Sequence, residues 1–140
     1  MSVKTYDPAN VTIVFAGIII EGYADGTFIT AARNNQTFNL KVGSSGEDAR
    51  AKSNDKSGTV TLTLMQTSAS NALLSAQVEL DELQNDGVGS LLIKDLLGTT
   101  LVAAQTAWLQ KPADVEFGGE ITGRQWVIES GSMKIFVGGN

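Results

Sequence analysis

The sequence predicts a mainly β protein, a β-sandwich or small barrel with one α-helix at about 68–84 and a long extended loop at about 43–58. Polar and apolar residues alternate strictly at 37–42 and at 59–64, which is the period of a half-buried strand. Fifteen glycines and only two prolines in 140 residues indicate many turns. A chain of this length is expected to form a single domain, 1–140, with one hydrophobic core.

The first third of the chain predicts a series of short strands. Residues 11–20 are rich in β-branched side chains and are typical of a strand, with a bulge or bend at Gly17. A turn at 23–26 precedes a second strand at 27–32, and Asn34-Asn35 forms a tight turn before the strand at 37–42. We expect 37–42 to pair with 59–64 as antiparallel strands that carry the long loop between them.

One stretch has the spacing of an amphipathic helix. Small and large apolar residues recur there at intervals of three and four, and we expect this stripe to face the core. Ser68 or Ser70 is expected to cap the helix N-terminus, and the residues at 85–87 to end it. The stripe consists of Ala69, Leu73, Ala76, Leu80 and Leu83.

The last third of the chain returns to strands. Residues 90–94 and 99–109 predict two strands joined by a turn at 95–98, and 121–128 and 133–137 predict a final hairpin. Trp108 and Trp126 lie in these strands, where packing in a core or interface is the expected role. Arg124 should share a strand face with Trp126 and be stacked or salt-bridged there.

Composition excludes several kinds of chemistry. The chain contains no cysteine and no histidine, which removes disulfides, thiolate nucleophiles, and the commonest general base and metal ligand. The net charge of −5 argues against a surface that binds nucleic acid by neutralising phosphates. The longest apolar run, 13–20, is interrupted by Gly17 and is too short to cross a bilayer. No secretory signal is visible, so we expect a soluble protein without a membrane role.

Carboxylates at 114–120 are the one group that offers an enzymatic alternative. Asp114, Glu116 and Glu120 could supply the acid and base of a glycosidase. They fall in a turn and at strand ends, where solvated carboxylates are expected in any case. A serine nucleophile would need a lysine base, and no matching motif is present. We therefore expect no enzymatic activity.

Cofactor and metal sites are equally poorly supported. The glycine-rich segment 43–46 lacks the Gly-Lys-Ser ending of a phosphate-binding loop. Asp25, Asp48 and Asp55 do not have the spacing of a calcium-binding loop. We expect neither a cofactor nor a metal.

The most unusual segment is the polar arm, which we define as residues 43–58. It contains no large apolar side chain and carries charges of both signs. Loops longer than about 12–15 residues are uncommon in compact domains unless they are functional or disordered. One interpretation is a flexible solvated loop, and the other is a docking arm that becomes ordered against a neighbouring subunit, with charge pairs fixing its orientation. The candidate inter-subunit residues are Glu47, Asp48, Arg50, Lys52, Asp55 and Lys56.

Three runs of sequence resemble the tail tube proteins of contractile-tailed bacteriophages. They are 23–30 (YADGTFIT), 38–43 (FNLKVG) and 50–68 (RAKSNDKSGTVTLTLMQTS), of which the last is the most specific. A weaker similarity continues through the helix and through 117–126. The resemblance covers most of the chain.

This resemblance implies a non-enzymatic structural subunit that forms hexameric rings stacked into a hollow tube. Hairpins from six subunits would merge into a continuous barrel around an acidic lumen, and DNA would pass through it without specific binding. The polar arm would bridge neighbouring subunits or rings. The implied partners are a tail sheath protein outside the tube and baseplate and tail-terminator proteins at its ends. The implied location is the virion tail, assembled in the host cytoplasm.

Two alternatives remain open from the sequence. The first is the tube subunit of a phage-derived contractile bacteriocin or secretion device, which would have the same subunit and a different cargo. The second is a monomeric carbohydrate-binding β-sandwich module. That module would require an exposed aromatic platform, so Trp108 and Trp126 should then be accessible.

Overall fold

The computed structural model describes residues 3–140, which form ten strands and one α-helix after a 3-10 turn at Pro8–Asn10. The mainly β fold class with a single helix is therefore confirmed for the described residues. The elements are β1 Val11–Phe15, β2 Ile18–Ile19, β3 Ile29–Arg33, β4 Phe38–Val42, β5 Asp48–Lys52, β6 Gly58–Met65, α1 Ser70–Gln84, β7 Gly89–Asp95, β8 Leu101–Leu109, β9 Gly123–Ser130 and β10 Lys134–Phe136.

Eight of the strands form one antiparallel sheet in the order β2-β1-β7-β8-β9-β6-β3, with β10 also paired to β8. The long strand β8 connects the two halves of this sheet. On one edge, β8 pairs with β7 from Leu101 to Ala107. On the other edge, its first three residues pair with β10 and its last three pair with β9. The neighbour of β8 on this edge therefore changes from β10 to β9 along the strand.

The core lies on one face of this sheet. In β6 every second residue from Gly58 to Leu64 is buried, and β9 shows the same alternation. Side chains from both halves of the sheet and from α1 join in one apolar cluster, so the sheet curls around its own inner face as in a sandwich. The largest fully buried side chains include Phe15, Ile13, Ile20, Leu62, Leu64, Leu74 and Ile128.

The bend predicted at Gly17 is a tight hairpin turn between β1 and β2. Ala16 and Gly17 both have positive φ, 50° and 79°, as a two-residue turn of the type favoured in hairpins requires. The turn brings Phe15 opposite Ile18. A short second strand thus covers the edge of β1.

The predicted pairing of 37–42 with 59–64 is wrong. β6 pairs with β3 on one side and with β9 on the other, and β4 pairs with β5 in a separate two-stranded sheet. Alternation reveals that a segment is a strand with two different faces, but it does not identify the neighbouring strand. The final hairpin is also wrong for this reason, because β9 lies between β6 and β8, and β10 pairs with β8.

The helix is present at Ser70–Gln84, but it does not bury the predicted stripe. The buried side chains are Ser70, Leu74 and Val78, which follow one another at intervals of four. The Ser70 hydroxyl accepts a hydrogen bond of 3.0 Å from the backbone N–H of Glu21, and this contact turns the Leu74 face towards β2. Asn85 ends the helix in the left-handed conformation, as predicted for 85–87.

Candidate assembly surface

The β4–β5 hairpin, defined here as Phe38–Lys52, carries an unusual row of exposed apolar side chains. Phe38, Leu40 and Val42 alternate along β4, so they project from one face of the hairpin. Their exposed fractions are 42%, 73% and 58%. Every residue of both strands is exposed. The hairpin therefore presents an apolar row to its surroundings.

A row of charges lies beside these apolar side chains. Lys52 is opposite Phe38, Arg50 is opposite Leu40, and Asp48 is opposite Val42. Directly opposed residues of an antiparallel pair share a face of the sheet. The Arg50 guanidinium lies 4.0 Å from the centroid of the Phe38 ring, a cation–π contact. The hairpin face is thus apolar along one strand and charged along the other.

The long extended loop predicted at 43–58 is therefore corrected. Only the short turn from Gly43 to Glu47 connects the two strands, closed by a hydrogen bond of 2.7 Å from the Gly43 N–H to the Glu47 carbonyl. Gly46 has a φ of 85° in this turn. The sequence Asp48-Ala-Arg-Ala-Lys52 alternates charged and small residues, and this weak signal could have identified the second strand.

Polar side chains connect the two segments at the root of the hairpin, which we define as residues 34–35 and 55–59. The Asp55 carboxylate accepts hydrogen bonds from the Asn35 amide and, at 2.9 Å, from the backbone N–H of Ser57. Asn34 donates to the Ser57 hydroxyl and accepts from Thr59, each at 3.0 Å. These hydrogen bonds join the segment that leaves the main sheet after β3 to the segment that returns to it before β6. Because Ser57 and Asn35 donate to it, the pKa of Asp55 is lowered from its ordinary value.

The six charged residues predicted for the interface are thus divided between three places. Asp48, Arg50 and Lys52 lie on the apolar face of the hairpin, Glu47 lies in its turn, and Asp55 and Lys56 lie at its root. The Lys56 carbonyl accepts a hydrogen bond of 2.8 Å from the Met133 N–H. Within residues 3–140 the ion pair is Lys111–Asp114, so none of the six is paired inside the chain. Their contact with a neighbour remains a prediction.

The outward face of α1 is a second exposed apolar surface. Because the helix buries Leu74 and Val78, the stripe predicted to face the core faces outwards instead. Leu73 and Leu83 are 51% and 82% exposed, Ala76 is exposed and Leu80 is half-buried. The apolar periodicity was a correct sign of a helix and a misleading sign of which face is buried.

The connection from β8 to β9 is held by Arg124. Its guanidinium donates to the Glu116 carbonyl at 2.9 Å and to the Thr122 hydroxyl at 2.8 Å. It also lies 5.6 Å from the centroid of the Phe117 ring. Arg124 and Trp126 are both buried on the same strand face, and the stacked alternative for Arg124 is the one observed. These contacts of Arg124 hold the loop in place, although the loop lacks regular secondary structure.

The carboxylates considered for catalysis are solvated. Asp114 pairs with Lys111 at 3.0 Å on the surface, and Glu116 and Glu120 are exposed. Among residues 3–140 there is no group of three or more aspartate or glutamate residues arranged to hold a metal ion. The described helix is too short and too polar to cross a membrane.

The two tryptophans do not form an exposed platform. Trp126 is only 2% exposed, and its indole N–H donates to Asn71 at 3.0 Å. Trp108 is half-buried. The accessible pair of tryptophans required by a carbohydrate-binding module is therefore not present in this structure.

Comparisons with known proteins give one family match and two similar proteins. Residues 8–138 match the family described as bacteriophage PhiTE tail tube protein. Structural protein ORF10 of Pseudomonas phage KPP10 is 30% identical, covering 98% of this chain and 84% of that protein. The tube-terminating cap of the anti-feeding prophage has a similar fold, with a TM-score of 0.64 at 12% identity over 97% of this chain and 94% of the cap.

Proposed function

The chain belongs to the bacteriophage PhiTE tail tube protein family, and on this basis we propose that it is a non-enzymatic structural subunit whose hexameric rings stack into a hollow tail tube. The observation that carries this proposal is the exposed β4–β5 hairpin. An isolated two-stranded hairpin is at best marginally stable in water, and this one leaves Phe38, Leu40 and Val42 exposed. A neighbouring subunit that covers this row would stabilise both partners.

We propose that the hairpin is the contact between neighbouring subunits or rings, and that its charged residues set the orientation of that contact. Apolar side chains contribute most of the affinity of such interfaces, whereas charge pairs contribute specificity and association rate. Lys52, Arg50 and Asp48 stand next to the apolar row. In the proposed contact these three charged side chains set the docking orientation.

Electron microscopy of the purified chain tests the proposal directly. We expect rings or hollow tubes in negative stain and large species in sedimentation. A strictly monomeric particle at high protein concentration would contradict it. Deletion of the hairpin, with residues 36–54 replaced by a short glycine-serine linker, should preserve the folded sheet and shorten or abolish tubes. Tubes of normal length from this deletion would remove the role of the hairpin.

The tube that we propose conducts DNA from the virion to the host and lies inside a sheath, with baseplate and tail-terminator proteins at its ends. The net charge of −5 supports a lumen that repels the phosphate backbone. A surface that neutralised phosphates would bind DNA with a strong salt dependence. Assembled tubes are therefore expected to show no salt-sensitive DNA binding. DNA within assembled particles would distinguish a virion tail from a phage-derived contractile device.

A further inference from the structure

Two exposed surfaces of this chain carry apolar rows of similar length with charges of opposite sign beside them. The arm face consists of the apolar row Phe38, Leu40 and Val42 and the charged row beside it. The helix face consists of Leu73, Ala76, Leu80 and Leu83 on the outside of α1. We propose that the arm face of one copy binds the helix face of a second copy, a contact that rests on the proposed function and specifies its partner surface.

The two apolar rows have matching lengths. Phe38 and Val42 are four residues apart in a strand, which at about 3.3 Å per residue spans about 13 Å. Leu73 and Leu83 are ten residues apart in a helix, which at about 1.5 Å per residue spans about 15 Å. Within one copy both rows are exposed, so neither covers the other. In a pair of copies, the apolar row of one arm face can bury the apolar row of the other copy's helix face along its whole length.

The charges beside the two rows have opposite signs. At 3.6 residues per turn, Glu79 borders the apolar stripe of α1 next to Leu83, and Glu82 lies about 60° further around the same side of the helix. Both glutamates are exposed. The helix sequence SNALLSAQVELDELQ contains no basic residue. Arg50 and Lys52 lie along one border of the arm face. Each surface therefore has an apolar row with a single charged border, and the borders attract each other.

Charge also determines the direction of the contact. The acidic residues of α1 lie in its C-terminal half, and its first turn contains none. The cations lie beside Phe38 and Leu40, whereas Asp48 lies beside Val42. The favoured orientation places Phe38 near Leu83. It places Val42 and Asp48 near Leu73 and the helix N-terminus, where the helix dipole stabilises a carboxylate.

Cysteine cross-linking tests this orientation, because the native chain contains no cysteine. Val42→Cys combined with Leu73→Cys should give disulfide-linked ladders when tubes are oxidised. The matched control, Val42→Cys combined with Leu83→Cys, should link far less, because disulfides require Cα atoms within about 7 Å. Equal linking of both pairs, or no linking of the first pair, would overturn the proposed contact.

Charge reversal in two separate chains tests whether the contact is made between copies. One variant carries Arg50→Glu and Lys52→Glu, and the other carries Glu79→Lys and Glu82→Lys. Each alone should raise the critical concentration for assembly by about tenfold. A mixture of the two should assemble close to the wild-type concentration, since each arm then meets a helix of opposite charge. Lys41→Glu, on the other face of the same hairpin, is the control and should assemble normally.

The outcomes separate this contact from the proposed function. A wild-type chain that forms neither rings nor tubes would overturn both. Wild-type tubes with no Val42→Cys to Leu73→Cys link, or with no rescue on mixing, would overturn the contact alone. In that case the helix face would be free for a different protein, such as a sheath subunit, and the helix charge reversal should then weaken binding of that protein to preformed tubes.

Discussion

Replacing one exposed leucine and one buried leucine should separate assembly from folding. Leu62 is fully buried, and Leu62→Ala should lower the free energy of unfolding by about 2–5 kcal/mol. Leu40 is 73% exposed. Since full burial of a leucine is worth about 2 kcal/mol, the quarter that is covered contributes only about 0.5 kcal/mol. Leu40→Ala should therefore leave the stability of the subunit almost unchanged.

Urea unfolding of the unassembled full chain measures the first effect. Tryptophan fluorescence is a suitable probe because Trp126 is opposite Leu62 in the sheet. Sedimentation of assembled tubes measures the effect of Leu40→Ala on assembly. Leu40→Ala should reduce tube yield at a protein concentration where its subunit remains fully folded. A loss of about 2 kcal/mol from Leu40→Ala would mean that the hairpin belongs to the core. Unchanged assembly would mean that the apolar row has no partner.

Three further predictions concern groups outside the apolar row. Burial raises the pKa of Tyr23 to about 12, so its contribution to stability is present below pH 10 and is lost as the pH rises towards 12; an ultraviolet titration should lack this late step in Tyr23→Phe, and an unchanged curve would contradict the assignment. Hydrogen bonds from Ser57 lower the pKa of Asp55, so its contribution is present above its ordinary value of 3.8 and is lost as the pH falls through the lowered pKa. Protection of the backbone amides at the hairpin root, measured against the intrinsic exchange rate at each pH, should therefore fall in acid in the wild type and be low already at neutral pH in Asp55→Ala. Equal protection in both proteins would refute this role. Arg124→Met removes charged hydrogen bonds worth about 1.5–3 kcal/mol and should expose the 110–122 loop to limited proteolysis, whereas resistance equal to that of the wild type would show that the loop is held by other contacts.

The polar arm shows how far local sequence can reach. Its composition and its position between two alternating segments correctly indicated a segment that leaves the main sheet, whereas its function stays a prediction. The weak alternation of Asp48–Lys52 did not reveal a strand, because alanine and charged residues have low strand propensity. The segment becomes a strand because its backbone forms antiparallel hydrogen bonds with β4.

The helix illustrates a different limit. Intervals of three and four predicted its presence, and the residues at 85–87 predicted its end, which the structure places at Asn85. Two sides of α1 are apolar enough to be buried, and the sequence contains both the Leu73 stripe and the Leu74 and Val78 pair. Contacts with β2 and the hydrogen bond from Glu21 to Ser70 select the second. Most of the Leu73 stripe therefore stays exposed.

Composition and periodicity were sufficient to predict a mainly β chain with one helix, without cysteine or histidine, and to single out 43–58 as an unusual polar segment, whose role in assembly stays a prediction. These properties depend on composition and on local periodicity, which any short window of the chain contains. Tertiary structure alone decided that β4 pairs with β5, that β6 lies between β3 and β9, and that α1 turns its leucines outwards. Those choices depend on which surfaces far apart in the chain exclude water together, and no local pattern records that competition.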